Sequence, residues 1–236
     1  MTLSSRERMR VVLMEDHESM ARKLAGRIAD IIRRRNADGE SAVLGLATGS
    51  TPIGVYRELI RMHREEGLDF SNVLTFNLDE YYPMDPESHN SYVRFMWENL
   101  FTPLEMPPEN VHIPDGTIPR EDLDDYCEGY EAAIREAGGI DFMLLGIGRS
   151  GHIGFNEPGS PRESRTHLVF LDSITRADAA SDFFGEENVP LEAITMGVAT
   201  ILGAGEVALL ATGEHKAGIV RRAVEGDIPV SYTHLT

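Results

Sequence analysis

The sequence predicts an α/β fold built on an open, mostly parallel sheet with helices on both faces. Two observations carry that prediction. Short apolar runs of strand length, Ala42 to Ala47, Val73 to Leu78, Asp141 to Leu145 and Val207 to Ala211, alternate with longer segments whose apolar residues recur at helical spacing. The first three break abruptly into glycines, hydroxyl residues or carboxylates, as strands do where their C-terminal ends line a ligand crevice. At 236 residues and 42% hydrophobic, one domain over residues 1–236 accounts for the whole pattern.

In chain order, Arg10 to Met14 reads as a first strand and His17 to Arg35 as a helix, with Asp16 as its N-cap and Met20, Leu24, Ile28, Ile31 and Ile32 on one face. A polar turn at Asn36 to Glu40 leads into the strand Ala42 to Ala47. Thr51 is placed to cap the next helix and Pro52 to open it, with Ile53, Tyr56, Leu59 and Ile60 facing inward. Val73 to Leu78 is the following strand. Helices then span about Asn90 to Phe101 and about Pro119 to Ala137. Beyond the strand Asp141 to Leu145, His167 to Leu171 reads as a strand and Ile174 to Phe184 as a short helix. Ala193 to Met196 and Val207 to Ala211 are two more strands, and a last helix ends near Gly226.

Three strand ends hold residues suited to chemistry. After Ala47, Thr48, Gly49, Ser50 and Thr51 gather main-chain N–H groups, hydroxyls and a helix N-terminus around one point, which is an anion site. The lysine and glycine spacing of a nucleotide-triphosphate loop are missing, and a plain helix cap is the simpler alternative. After Leu78 come Asp79 and Glu80. Neighbours on a strand face opposite ways, so one of them enters the crevice, unless both belong to a solvated acidic turn. After Leu145 the chain reads G-I-G-R-S-G-H-I-G-F-N-E-P, in which His152 and Glu157 are side chains suited to proton transfer. Gly146, Gly148 and Gly151 mimic a dinucleotide fingerprint. That fingerprint must open a helix, and Gly154, Pro158, Gly159 and Pro161 forbid one here. Arg176, read as lying in the first turn of its helix where a cation is disfavoured, suggests an anion for it to meet.

Charge narrows the partners. With 22 Lys and Arg against 39 Asp and Glu, the net charge of −17 repels nucleic acid and anionic membranes, so an anionic substrate needs a locally positive pocket. A single cysteine, Cys127, excludes an intramolecular disulfide, and the opening residues lack the apolar core of a signal peptide; a cytoplasmic protein is expected. No apolar run reaches membrane-spanning length. The eight histidines form no close pair at helical spacing, so no metal is expected.

L-G-L-A-T-G-S-T-P, F-N-L-D-E-Y, G-H-I-G-F-N-E-P, S-R-T and T-G-E-H-K, in this order, resemble glucosamine-6-phosphate deaminase, also called glucosamine-6-phosphate isomerase, over nearly the whole chain. The resemblance implies a Rossmann-like fold and conversion of glucosamine 6-phosphate and water to fructose 6-phosphate and ammonium, with no cofactor. It implies that Asp79 moves a proton from C2 to C1 through an enediol-type intermediate, that His152 assists ring opening and that Glu157 is its acidic partner. It implies further that Ser50, Thr51, Arg176 and Lys216, with Thr48 and Gly49, hold the phosphate. Ser150 stands where many relatives have an aspartate; a serine can only hydrogen-bond, which leaves more of the orienting work to Glu157. The partner implied is a small amino-sugar phosphate, glucosamine or its C4 epimer, and a homo-oligomer stays open. The alternatives are a 6-phosphogluconolactonase-like hydrolase, against which Glu157 in F-N-E-P speaks, and a non-catalytic sugar-phosphate sensor, against which Asp79, His152 and Glu157 together speak. Residues 227–236 depart from the family pattern and read as an atypical, truncated or foreign tail. His167 and Val169 replace basic residues that bind an activating effector in some relatives, so that activation is expected to be absent.

Overall fold

The computed structural model describes residues 10–225; the tail at 227–236 lies outside them. In chain order the elements are α1 (His17–Asp38), β1 (Ala42–Leu46), α2 (Ile53–Glu66), β2 (Val73–Asn77), β3 (Asp79–Tyr82), α3 (Tyr92–Met96), β4 (Val111–His112) and α4 (Leu123–Glu136). There follow β5 (Phe142–Gly146), β6 (His167–Phe170), α5 (Ser173–Ala179), β7 (Glu192–Thr195), α6 (Val198–Leu202), β8 (Glu206–Leu210) and α7 (Ala217–Glu225).

The central sheet has five strands in the order β4-β2-β1-β5-β8, all parallel. Its strands are apolar on both sides because both sides are covered. Ala42, Leu44, Leu46, Phe142 and Leu144 join a core with Ile28 and Ile32 of α1 and Tyr56 and Leu59 of α2. The alternate residues Val43, Met143 and Leu145 join Tyr130 and Ile134 of α4 and Ile201 of α6. From β1 the chain moves outward to β2 and β4 on one side, then returns to place β5 on the other. The direction of winding therefore changes between β1 and β5, and the loops after these strands open side by side, with the loop after β8 next to them. In a parallel α/β sheet that edge is where ligands bind.

A second sheet, β3-β7-β6, is antiparallel. The two sheets meet at Leu78, whose N–H donates to the Leu46 carbonyl (3.1 Å) while its own carbonyl accepts from the Met196 N–H (2.7 Å). Only this residue separates β2 from β3, so no helix intervenes to carry the chain back to the parallel sheet. The residues read from sequence as strands at 167–171 and 193–196 belong to this second sheet, not to the central one.

Other boundaries differ for local reasons. Residues 10–14 form no strand; Val11, Val12 and Leu13 are exposed. Helix α1 runs through the expected polar turn to Asp38 and ends at Gly39, whose φ of 73° supplies the left-handed cap. Its N-cap is Asp16, accepting from the Ser19 N–H at 2.7 Å. Thr51 does not cap α2: Pro52 occupies the cap position and no side chain bonds there. The helix at 90–101 finishes as a π turn from Trp97 to Phe101, and α5 stops at Ala179. The two-residue β4 and the one-turn α6 are too short to leave a periodic signal.

Candidate active site

Leu78 delivers Asp79 to the edge of the parallel sheet, where it enters β3 opposite Thr195 of β7. Asp79 and Glu80 are both buried, 7% and 1% exposed, so this is no solvated turn. Glu80 is fully occupied. Its carboxylate accepts from Ser91 Oγ at 2.8 Å and from the N–H groups of Tyr92 and Val93 at 2.8 and 3.1 Å, which closes the N-terminus of α3; its other oxygen accepts from the Tyr81 N–H at 2.9 Å. Burial raises its carboxyl above the usual range, and these donors oppose the shift. Asp79 accepts no hydrogen bond from the described residues. Burial, with a smaller push from the charge on Glu80, moves its carboxyl up to about 8.

The loop after β5 comes to Asp79. A Cβ on Gly154, whose φ is +55°, would stand 2.8 Å from Thr195 Oγ1 and 3.4 Å from Asp79 Oδ2. Only a glycine permits that approach. The loop is docked on β7 by the Phe155 N–H, which donates to Thr195 Oγ1 (3.1 Å), and by Asn156 Nδ2, which donates to the Met196 carbonyl (2.7 Å). No helix forms in it, so the glycines do not make a dinucleotide fingerprint.

Within this loop His152 Nδ1 faces three groups: Ser150 Oγ at 2.9 Å, Thr175 Oγ1 at 3.3 Å and Glu157 Oε1 at 3.3 Å. A carboxylate only accepts, so a neutral His152 turned toward Glu157 carries its proton on Nδ1 and leaves Nε2 as the free base. The ring lies over Gly148, where a Cβ would be 2.1 Å from Nε2. Thr175 Oγ1 also donates to Glu157 Oε1 at 3.2 Å. Burial tends to raise Glu157, but the hydrogen bonds of His152 and Ser150, the charge of His152 and the Thr175 hydroxyl outweigh it and hold the carboxyl below its usual value. The site thus holds one carboxyl that retains its proton unusually well and one that releases it readily.

The residues read as an anion site stand around the same edge but are not all in one contact. Thr48, Gly49 (φ 98°), Ser50 and Thr51 follow β1, and Tyr56 donates its hydroxyl to the Ala47 carbonyl just before them. Lys216 follows β8. Burial lowers its ammonium, Asp178 opposes that, and Arg149 adds to it. Asp178 in turn pairs with Arg149 at 2.8 Å. Arg176 lies in the last turn of a seven-residue helix, not the first, so the helix-dipole reason for an anion there does not hold. Its Nη2 donates to the Glu186 carbonyl at 2.8 Å, and its Nε is buried without a partner among the described residues.

Thr175, Thr195, Arg149 and Asp178 were not singled out from the sequence. The first two are single hydroxyls in unremarkable segments, and the last two become a pair only when α5 folds against the loop. Among the described residues no group of three or more His, Cys, Asp or Glu converges as a metal site, and no helix is long and apolar enough to cross a membrane.

The family model for glucosamine-6-phosphate isomerases/6-phosphogluconolactonase matches residues 15–235. Glucosamine-6-phosphate deaminase 1 of Giardia intestinalis is 50% identical over 90% of this chain and 79% of its own. Glucosamine-6-phosphate deaminase of Thermoanaerobacter pseudethanolicus is 44% identical over 93% of this chain and 85% of its own. The chain spans 35% of a longer deaminase-like protein of Bacteroides thetaiotaomicron, with 45% identity over 98% of this chain. Among solved structures, a monomeric glucosamine-6-phosphate deaminase superposes with a TM-score of 0.89 at 42% identity, over 96% of this chain and 91% of that one. The 6-phosphogluconolactonase of Thermotoga maritima superposes with a TM-score of 0.73 over 95% of this chain and 93% of that one, at 23% identity, and shares the fold alone. A match of this extent, with relatives this similar over most of their length, establishes that the chain belongs to the glucosamine-6-phosphate isomerase/6-phosphogluconolactonase family.

Proposed function

We propose that this chain isomerises and hydrolytically deaminates glucosamine 6-phosphate, giving fructose 6-phosphate and ammonium, as a step of amino-sugar breakdown. The observation that carries the reading is Asp79: buried, without a hydrogen-bond partner among the described residues, and set against Gly154 of the loop that bears His152 and Glu157. A free buried carboxylate beside a ring-opening pair is what the isomerisation needs.

In the first step His152 Nε2 takes the proton of the C1 hydroxyl and returns one to the ring oxygen as the C1–O5 bond breaks, which yields the open-chain aldehyde. Glu157 holds the imidazole by Nδ1 and stabilises the cation formed in passing. Asp79 then removes the C2 proton while the C2 ammonium gives one of its protons to O1, giving the ene-aminol, the amino counterpart of an enediol. Asp79 delivers its proton to C1, leaving an iminium at C2. Water adds to C2, the C2–N bond breaks, and ammonium leaves with fructose 6-phosphate. The raised proton affinity of Asp79 makes it a stronger base than an ordinary carboxylate, and the substrate's own C2 ammonium favours the ionised form it must start from.

Thr48, Gly49, Ser50, Thr51, Arg176 and Lys216 are assigned to the phosphate. The lowered Lys216, short of a full counter-charge, supports this, as does the position of its loop beside that of β5. A cytoplasmic setting suits an enzyme of this kind whose lone cysteine is buried and unpaired.

The test is ammonium release from purified protein supplied with glucosamine 6-phosphate, galactosamine 6-phosphate or 6-phosphogluconolactone. Release from glucosamine 6-phosphate is expected. Lactone hydrolysis without ammonium release would overturn the reading, and turnover of the galactosamine ester alone would move it to the C4 epimer.

A further inference from the structure

The anion loop after β1 is tied to a histidine that none of the proposed chemistry uses. His17, the first residue of α1, places Nε2 3.0 Å from the carbonyl oxygen of Thr51. A carbonyl oxygen only accepts, so Nε2 is the donor and carries a proton. The ring is seated by Gly54 in the first turn of α2: a Cβ there would come 2.6 Å from His17 Cε1 and 3.1 Å from Ala21 Cβ. A glycine at that point of a helix costs stability, so its value lies in admitting the ring.

The peptide that His17 holds is an unusual one. Thr51 precedes Pro52, so the Thr51–Pro52 peptide has no N–H to offer an anion, only its oxygen. An oxygen turned toward bound phosphate would repel it; drawn toward α1, it leaves the loop's remaining N–H groups and hydroxyls to face the ligand. Among the described residues no other donor bonds the Thr51 carbonyl. Its side of the loop borders a cleft of about 770 Å³ between α1 and α2, lined by His17, Ser50, Gly54 and Arg57 among others.

The geometry points to His17 as a positioning residue for phosphate binding: by donating to the Thr51 carbonyl it fixes the orientation of the Thr51–Pro52 peptide in the loop that receives the substrate's phosphate. This rests on the phosphate assignment made above for Thr48 to Thr51.

Two substitutions separate the hydrogen bond from the packing. His17→Phe keeps a ring over Gly54 and removes the donor; His17→Gln keeps an N–H near the position of Nε2. Steady-state kinetics with glucosamine 6-phosphate and competitive inhibition by inorganic phosphate are the readouts. His17→Phe is expected to raise both KM and the phosphate inhibition constant about five- to tenfold, with kcat within about twofold of wild type. His17→Gln should stay near wild type in both. Gly54→Ala, which displaces the ring without replacing His17, should resemble His17→Phe and serves if that variant folds poorly. Unchanged KM and phosphate inhibition in folded His17→Phe, or equal damage in His17→Gln, would overturn the proposal. If wild-type protein released no ammonium, the deaminase reading would fall, and phosphate affinity measured by calorimetry on the same variants would still decide the role of His17.

Discussion

Asp79 and Glu80 are consecutive on one strand and both withdrawn from water, yet Glu80 accepts four hydrogen bonds and Asp79 accepts none from the described residues. The difference separates a structural carboxylate from a reactive one. Glu80 is bound to the start of α3 and stiffens β3, and β3 is what places Asp79.

Glu80→Gln should therefore act on stability first. The amide offers one acceptor where the carboxylate offered two, and it sets an N–H₂ group against donors that already point inward. A loss of about 1–3 kcal/mol is expected, read as a lower midpoint in urea, with the C2 proton still exchanged by the fraction that remains folded. Full stability in the variant would show that the α3 N-terminus does not depend on this carboxylate.

Asp79→Asn should do the reverse. It should abolish ammonium release and C2 deuterium exchange while the substrate still binds, because the amide keeps the shape and cannot take the proton. Its stability should also depend on pH in a predictable way. The folded carboxyl is raised to about 8 from an unfolded value of about 3.9. Between these values the folded state holds the extra proton, so wild-type stability should fall as pH rises through that window and level off outside it. Asp79→Asn removes this slope and should be the more stable protein near neutrality by up to a few kcal/mol. Parallel unfolding curves for the two proteins from pH 5 to 8 would contradict the raised value.

The sequence shows the fold best where each strand is a continuous apolar run, as at Ala42 to Leu46 and Phe142 to Leu145, because burial on both faces writes itself directly into composition. It shows the second sheet poorly. Nothing around Leu78 signals that the chain leaves one sheet and enters another there, since the signal is a pair of main-chain hydrogen bonds to residues far away in sequence. The candidate site divides in the same way. His152 and Glu157 stand out as proton-transfer groups in one glycine-rich stretch, whereas Thr175 and Thr195 reach it from a helix and a strand of ordinary composition. The helix-dipole reasoning at Arg176 failed because it depended on a helix boundary, the least legible feature of a short helix.

Lys216→Ala and Arg176→Ala should mainly raise KM. The phosphate lies away from the bonds that change, so its contacts contribute nearly equally to ground and transition states. Each loss should cost about 1.5–3 kcal/mol of binding, and both variants should lose their preference for the phosphorylated sugar over free glucosamine. Arg176 already donates a hydrogen bond to the Glu186 carbonyl and lies 3.9 Å from its carboxylate, so a large fall in stability with unchanged KM would instead identify it as a structural residue of the α5 region.

The three groups facing His152 Nδ1 make the ring-opening step separable from the proton transfer at Asp79. Ser150 and Thr175 are hydroxyls that can turn to suit either protonation state, but only Glu157 adds a charge, and its lowered carboxyl keeps that charge to lower pH than an ordinary glutamate. The sign follows from the lowering: the ionised form favours the fold above the unfolded value near 4.3, and that contribution is lost only as pH falls through the lower folded value. Glu157→Gln should thus slow turnover of the cyclic α-anomer by about two orders of magnitude at neutral pH, while C2 exchange on the open-chain form is kept. Ser150→Asp puts a second carboxylate next to the same nitrogen, so the double variant Ser150→Asp with Glu157→Gln should recover part of the lost rate. Ser150→Ala alone should change little, because Thr175 and Glu157 still occupy Nδ1. If Glu157→Gln kept full activity on the cyclic substrate, or lost ring opening and C2 exchange together, His152 and Glu157 would not be the pair that opens the ring.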